Sequence, residues 1–128
     1  SLAIPSSELN ITTYGYLLTT RGYLAENTEA IAKLLQATDE TAKYITEHED
    51  EVAAFLEAKT GLNPDDFKLT WESIINRIGL TEEGVNQLES IEKWAFTHNK
   101  FDTDYDVRDY IDSSAIKLAF PDRVDIQE

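Results

Sequence analysis

The sequence predicts a mainly helical domain of four to six helices preceded by one strand. Apolar residues recur at steps of three and four in four successive segments, which is typical of amphipathic helices. A single segment near the start has the β-branched and aromatic composition of a strand. The chain has 128 residues, 41% of them hydrophobic, and no internal repeat, so residues 1–128 are predicted to form one domain. Within it we expect a strand at residues 8–20 and helices across residues 28–119.

The predicted strand mixes threonines with Ile11, Tyr14, Tyr16 and Leu18. The sequence offers no second strand to pair with it, and an unpaired buried backbone group costs about 1–3 kcal/mol. We therefore expect residues 10–18 to form a homodimer, by edge contact between two copies or by exchange of this segment.

Two helices are predicted next. Ile31, Leu34 and Leu35 begin an apolar stripe that indicates a long helix at residues 28–47. A shorter helix follows and is predicted to end at Gly61, because glycine suits the left-handed conformation just past a helix end.

The remaining helices have local start signals. Asn63 and Pro64 predict the start of a third helix, which the apolar pattern extends to Gly79. Thr81 predicts the start of a fourth helix that ends near His98. Beyond a polar break we expect a short helix at residues 106–111, a turn at 114–119 and a frayed acidic tail.

The apolar stripes of these helices predict one shared core. Its expected members are Ile31, Leu34, Leu35, Phe55, Leu56, Trp71, Ile74, Ile75, Leu88 and Ile91.

Composition excludes several functions. Acidic residues outnumber basic ones 25 to 11, giving a net charge of −14, so we expect no nucleic-acid partner. The chain contains no cysteine and no glycine-rich phosphate loop, and no apolar run is long enough to span a bilayer. His48 and His98 lack the spacing of metal ligands and are interpreted as surface or capping residues.

Clusters of acids also have a structural interpretation. Asp65 and Asp66, Glu82 and Glu83, and residues 49–51 fall in first turns of predicted helices, where negative charge is stabilised by the helix dipole. Residues 102–106 alternate acids as a calcium loop does, but they lack its glycine and its distal glutamate. We therefore expect no catalytic residues, no cofactor and no metal site.

Several short runs, in order, resemble one family. They are YGY at residues 14–16, LAENTEA at 24–30, ITEHEDE at 45–51 and YDVRDYID at 105–112. Over about residues 11–118 the chain is similar to the carboxy-terminal region of ABC-transporter solute-binding proteins for nitrate, sulfonate, taurine and thiamine precursors. Threonine and glutamate stand at residues 28 and 49, where the family's pattern has proline.

The resemblance implies a function and a set of partners. Family members have two α/β lobes that close on a small organic or inorganic solute, and they deliver it to the membrane subunits of an ABC-type importer. The resemblance implies that Tyr14, Gly15 and Arg77 border the ligand, that the chain is not an enzyme, and that it forms part of a longer periplasmic or extracellular, membrane-associated protein. We expect no signal peptide within this chain, because no basic segment followed by an apolar one stands before the predicted fold.

A different function is also compatible with these residues. A stand-alone acidic helical module that binds another protein through an exposed groove would have the same composition and the same helical pattern. The two hypotheses differ in whether an α/β segment precedes the chain in its parent protein.

Overall fold

The structure is a computed structural model that describes residues 14–74 and 76–126. In chain order it consists of α1 (Arg21–Glu47), α2 (Glu49–Thr60), α3 (Pro64–Glu72), β1 (Leu80–Thr81), α4 (Glu82–Thr97), a 3₁₀ turn (Val107–Tyr110), α5 (Ser114–Ala119), a second 3₁₀ turn (Pro121–Arg123) and β2 (Val124–Asp125). The described chain is mainly helical, as predicted. None of its helices is both long enough and apolar enough to cross a membrane.

Helix α1 begins seven residues earlier than the sequence pattern predicted. Thr20 caps it, and its hydroxyl accepts a hydrogen bond from the Tyr23 amide at 3.2 Å. The helix is interrupted at Asn27, whose backbone is non-helical with φ −132° and ψ 22°. The side chains of Asn27 and Thr28 donate to the carbonyl oxygens four residues earlier, at 2.9 and 2.7 Å, and such competing bonds bend helices. The sequence pattern identified only the part that follows this kink.

Helices α2 and α3 form a pair whose junction was predicted correctly. Gly61 ends α2 in the left-handed conformation, with φ 74°. The Asn63 side chain then accepts hydrogen bonds from the amides of Asp65 and Asp66 at 2.8 and 3.2 Å. Lys68 on α3 forms an ion pair with Asp50 on α2 and holds the two helices together.

Helix α3 ends at Glu72 rather than at Gly79. The Ser73 hydroxyl donates to the Thr70 carbonyl at 2.7 Å, and the Asn76 amide donates to the Trp71 carbonyl at 3.3 Å. These side chains satisfy the last carbonyl groups, so the helix closes although the apolar pattern continues. Residues 76–79 then lead to β1.

Helix α4 has the predicted bounds. The Thr81 hydroxyl accepts from the Gly84 amide at 3.2 Å, and the helix ends before His98. The short helix expected at residues 106–111 is a 3₁₀ turn capped by Asp106, whose carboxylate accepts from the Arg108 amide at 2.9 Å. The turn expected at residues 114–119 is helix α5, which packs on α1.

The prediction of a frayed tail was wrong for residues 121–126. β2 pairs in parallel with β1, with Leu80 opposite Val124 and Thr81 opposite Asp125. Arg123 anchors this segment, because its guanidinium donates to the Asp39 carboxylate on α1 at 2.6 Å. The pairing partner and the ion-pair partner are both distant in sequence, so no local pattern indicates them.

The predicted strand at residues 8–20 is absent where the structure describes it. Residues 14–20 form no strand, and the Tyr16 hydroxyl instead donates to the Gly84 carbonyl on α4 at 3.1 Å. A β-type composition favours a strand only where a partner strand exists, and none lies beside this segment among the described residues. The rest of the predicted strand, and residues 10–13 of the proposed dimer contact, lie outside the described residues.

The predicted core was also largely wrong. Of its members Ile31 is buried, whereas Leu34, Phe55, Ile74 and Ile91 are each more than half exposed. Leu35, Leu56, Trp71 and Leu88 are half-buried, and Ile75 lies outside the described residues. The buried hydrophobic residues in the described ranges are mostly small: Ile31, Ala32, Ala53, Val85, Ala115, Ile116 and Ala119. The stripes are therefore wider than the surfaces that neighbouring helices cover.

Among residues 14–74 and 76–126, Asp39 is the buried polar residue, with 4% of its surface exposed. Its carboxylate accepts from Arg123 and lies 2.9 Å from the Lys43 ammonium. The hydrogen bond from Arg123, followed by that from Lys43, lowers the pKa of Asp39 from 3.8 to about 2. The carboxylate therefore stabilises the folded chain above about pH 4, and this contribution is lost as the pH falls from about 4 toward 2.

We predict that Asp39→Asn lowers the free energy of unfolding at pH 7 by on the order of 1 to 2 kcal/mol, because Arg123 loses its charged partner. The difference from the wild-type chain should shrink as the pH falls toward 3. Urea unfolding followed by circular dichroism measures both effects. Glu40→Gln is the matched control, since it removes an exposed carboxylate from the next position of α1. Equal stability of the two variants at pH 7 would contradict the prediction.

Candidate functional site

The sequence-predicted site residues do not form one cluster. Tyr14 lies against the first turn of α4, where its ring approaches Gly84. Gly15 is exposed, and no heavy atom lies within 4 Å of the position that a Cβ would take. Arg77 is exposed in the segment between α3 and β1, and among the described residues no hydrogen bond or ion pair joins it to Tyr14 or Gly15.

Tyr14 and Tyr16 together fix the segment before α1 on the start of α4. Their ring centroids are 6.4 Å apart. Partial burial, followed by a hydrogen bond with the Glu83 carboxylate, raises the pKa of Tyr14. Desolvation also raises the pKa of Tyr16, whose hydroxyl contacts Gly84. Both phenols thus stay protonated near neutral pH and act here as hydrogen-bonding and packing groups.

The two histidines end helices, as the sequence analysis indicated. The His48 ring stacks on Tyr44 with a centroid distance of 4.3 Å, and the His98 ring stacks on Trp94 at 4.5 Å. The His98 ring nitrogen also lies 2.7 Å from the Trp94 carbonyl oxygen. Across residues 14–74 and 76–126, no three histidines or acids are arranged to hold a metal ion.

The sequence analysis did not identify Arg108 as a candidate site residue. Its guanidinium donates to the carboxylates of Glu82 and Glu89 on α4, and to the Asn86 side-chain oxygen at 3.3 Å. The hydrogen bonds that Arg108 donates to these carboxylates, that to Glu82 first, raise the pKa of Arg108 further above its usual range. The spacing of the acids by seven residues on α4 is the sequence signal for such a clamp, because it places them two turns apart on one face.

The clamp positions the 3₁₀ turn against α4. The Val107 amide adds a hydrogen bond to the Glu92 carboxylate at 3.3 Å. Beside this contact, α4 and residues 104–106 border a groove of about 610 Å³. The groove is lined by Glu89, Glu92, Lys93, Phe96, Thr97, Asp104, Tyr105 and Asp106.

A second hollow of about 480 Å³ lies at the kink of α1. All of its lining residues belong to residues 25–30 and 33 of that one helix. It is therefore the notch beside the break at Asn27, and no second element of the described part of the chain lines it.

Comparison of the chain with protein family models, with curated proteins and with solved structures finds no significant match. The fold and the arrangement of side chains are therefore the basis for a functional assignment.

We predict that Arg108→Gln loosens the turn at residues 107–110, because the neutral side chain cannot neutralise both glutamates. Amide hydrogen exchange of residues 107–111 should become faster, while exchange in α2 and α3 stays unchanged. Arg77→Gln is the matched control, since it removes the same charge from an exposed position. Unchanged protection of residues 107–111 in Arg108→Gln would show that the ion pairs do not hold the turn.

Proposed function

We propose that this chain is the carboxy-terminal helical part of a solute-binding protein that delivers a small organic or inorganic solute to an ABC-type importer. One observation supports this most directly. The described helices bury mainly small residues against one another and leave many large apolar side chains exposed, among them Leu69, Phe55 and Leu118. A helical layer with open apolar faces is what a larger two-layer protein would supply, because helices bury their apolar stripes against another element.

The order of the elements supports the same proposal. The family that the sequence resembles has a short helix ending in Glu-Asn before a long helix, and here the break in α1 falls at Asn27. In that family a Pro- or Glu-rich junction and two further helices follow, and here the acidic junction at residues 45–51 leads into α2, after which α3 follows.

The proposed ligand contacts are modest in number. Gly15 and Arg77 are exposed, so both are available to a solute held between this part and the rest of the parent protein. Arg77 would pair with an anionic group such as nitrate or sulfonate. The Tyr14 ring packs against the start of α4 and would contact the solute next to Gly15. The proposed role is binding, without catalysis, and the membrane subunits of the transporter are the proposed partners.

The parent reading frame tests the proposal first. It should contain, upstream of this chain, an α/β segment of about 150 to 200 residues that forms the first lobe. A parent without such a segment would overturn the proposal and favour the acidic helical interaction module, for which the exposed Ile91 and Trp94 on α4 are the supporting feature.

We predict that Arg77→Ala in the complete parent protein weakens binding of its solute, because an anion loses a guanidinium partner. A thermal-shift screen with nitrate, taurine, an alkyl sulfonate and a pyrimidine should identify the solute. A ligand at 100 times its Kd stabilises the protein by about 2.7 kcal/mol. Titration calorimetry then compares the variants.

Lys100→Ala is the control for this experiment, since it removes an exposed positive charge just beyond α4. Equal affinity of the wild-type protein and Arg77→Ala would remove Arg77 from the site. Failure of every solute in a correctly folded two-lobe parent would contradict the proposed ligand class.

A further inference from the structure

Four aromatic side chains form a continuous row beside α4. The centroid distances are 6.1 Å from Phe96 to Phe101, 5.1 Å from Phe101 to Tyr105 and 5.6 Å from Tyr105 to Tyr110. Phe96 and Tyr105 also line the groove of about 610 Å³ described above. The row therefore extends from the groove to the 3₁₀ turn.

One end of the row already holds an arginine of this chain. The Arg21 guanidinium lies 5.6 Å from the centroid of the Tyr110 ring and donates to the Asp109 carbonyl oxygen at 2.6 Å. Arg123 makes the same kind of contact elsewhere, 4.2 Å above the Phe120 ring and bound to Asp39. An arginine on an aromatic ring with an oxygen acceptor beside it is thus a recurring contact in this structure.

The groove has the same chemistry without an arginine: two residues of the row, Phe96 and Tyr105, line it, and among the described residues no cation lies over either ring. Phe96 and Tyr105 are 37% and 40% exposed, although both are aromatic. The groove beside them is lined by four carboxylates and the single ammonium of Lys93. Arg108 pairs with Glu89, whereas in the described part of the chain no basic side chain forms an ion pair with Glu92, Asp104 or Asp106.

We propose that this groove binds an arginine side chain of a partner protein. The guanidinium stacks on the Tyr105 ring, which lines the groove, and donates hydrogen bonds to the carboxylates beside it. Arginine fits better than lysine because its planar group both stacks on a ring and binds a carboxylate through two N–H groups. The net charge of −14 attracts a basic partner to the surface, and the groove then selects the side chain.

This assignment is independent of the solute-binding proposal. The solute would lie near Gly15 and Arg77, whereas the arginine site lies between α4 and residues 104–106. Failure of one proposal therefore leaves the other unaffected.

The test uses the ¹⁵N-labelled chain and two small probes of nearly equal shape. N-acetyl-arginine amide has a guanidinium, and N-acetyl-citrulline amide has a neutral urea in its place. We expect saturable chemical-shift changes at residues 92–97 and 101–106 with the arginine probe only, with a Kd on the order of 1 mM. Shift changes spread over all acidic surfaces, or equal changes with citrulline, would overturn the proposal.

Matched variants locate the contact. Tyr105→Leu and Asp104→Asn should each weaken the arginine probe about threefold, in line with an exposed cation–π or charge contact. Tyr105→Phe should bind as the wild-type chain does, since it keeps the ring. Asp102→Asn is the charge control, because Asp102 is an exposed acid of the same loop that does not line the groove. An equal loss in Asp102→Asn and Asp104→Asn would attribute binding to the general field and reject the groove.

Three further measurements test which ligand the groove prefers and whether that ligand comes from a partner protein. A glycine-rich peptide with two arginines should bind more tightly than the single amino-acid probe, while n-butylamine should bind more weakly. Tighter binding of the amine would make the site one for small ammonium ions and overturn the proposal. Sedimentation of the chain alone tests whether a second copy of the chain fills the groove. We expect no dimer that the arginine probe dissociates. Such a dimer would identify a second copy as the occupant.

Discussion

The ion pair between Asp39 and Arg123 joins α1 to the carboxy-terminal part of the described chain. It connects the middle of α1 to the segment after α5, across 84 residues of sequence. Arg123 also donates to the Ile78 carbonyl at 3.4 Å, so the same guanidinium contacts the segment that leads into β1 and α4. The β1–β2 pair has only two residues in each strand, which is too few for stability on its own. The position of α4 relative to α1 therefore depends on this buried contact.

Contacts between residues near in sequence and contacts between distant residues have different roles in this structure. Helix ends are set by neighbouring side chains, such as Asn63 on the amides that follow it and Ser73 on the carbonyl before it. Ion pairs also join elements that are distant in sequence, namely Lys68 with Asp50, Arg108 with two glutamates, and Arg123 with Asp39, and of these carboxylates Asp39 is the buried one. The apolar core is small, because its buried side chains are mainly alanines, and an alanine buries little surface.

This division explains what the sequence could predict. The starts of α3 and α4 and the end of α2 were predicted correctly because their signals, Asn63, Thr81 and Gly61, act within one helical turn. The start of α1 was missed because its apolar stripe begins only after the kink at Asn27.

The errors share a cause as well. The predictions of the strand, the core and the frayed tail were wrong because each depends on which residues pack against a segment. A periodic pattern does not specify those residues. Leu34 and Ile91 fit an apolar stripe as well as Ile31 does, yet only Ile31 has a neighbouring element over it. The groove was likewise missed, since Phe96 and Tyr105 line it from different segments, and no local pattern specifies how those segments pack.

The excess of acidic residues gives the chain a negative net charge. The chain has 11 basic and 25 acidic residues, and several of the basic residues form ion pairs between elements of the molecule. Arg108, Arg123 and Lys68 neutralise acids at contacts between elements, so they do little to reduce the negative field at the surface. The exposed apolar side chains of α4, Ile91 and Trp94, therefore lie in a strongly acidic setting. A surface that covers them must supply positive charge at its rim as well as apolar area at its centre, because burying these acids without cations costs more than the apolar contact returns.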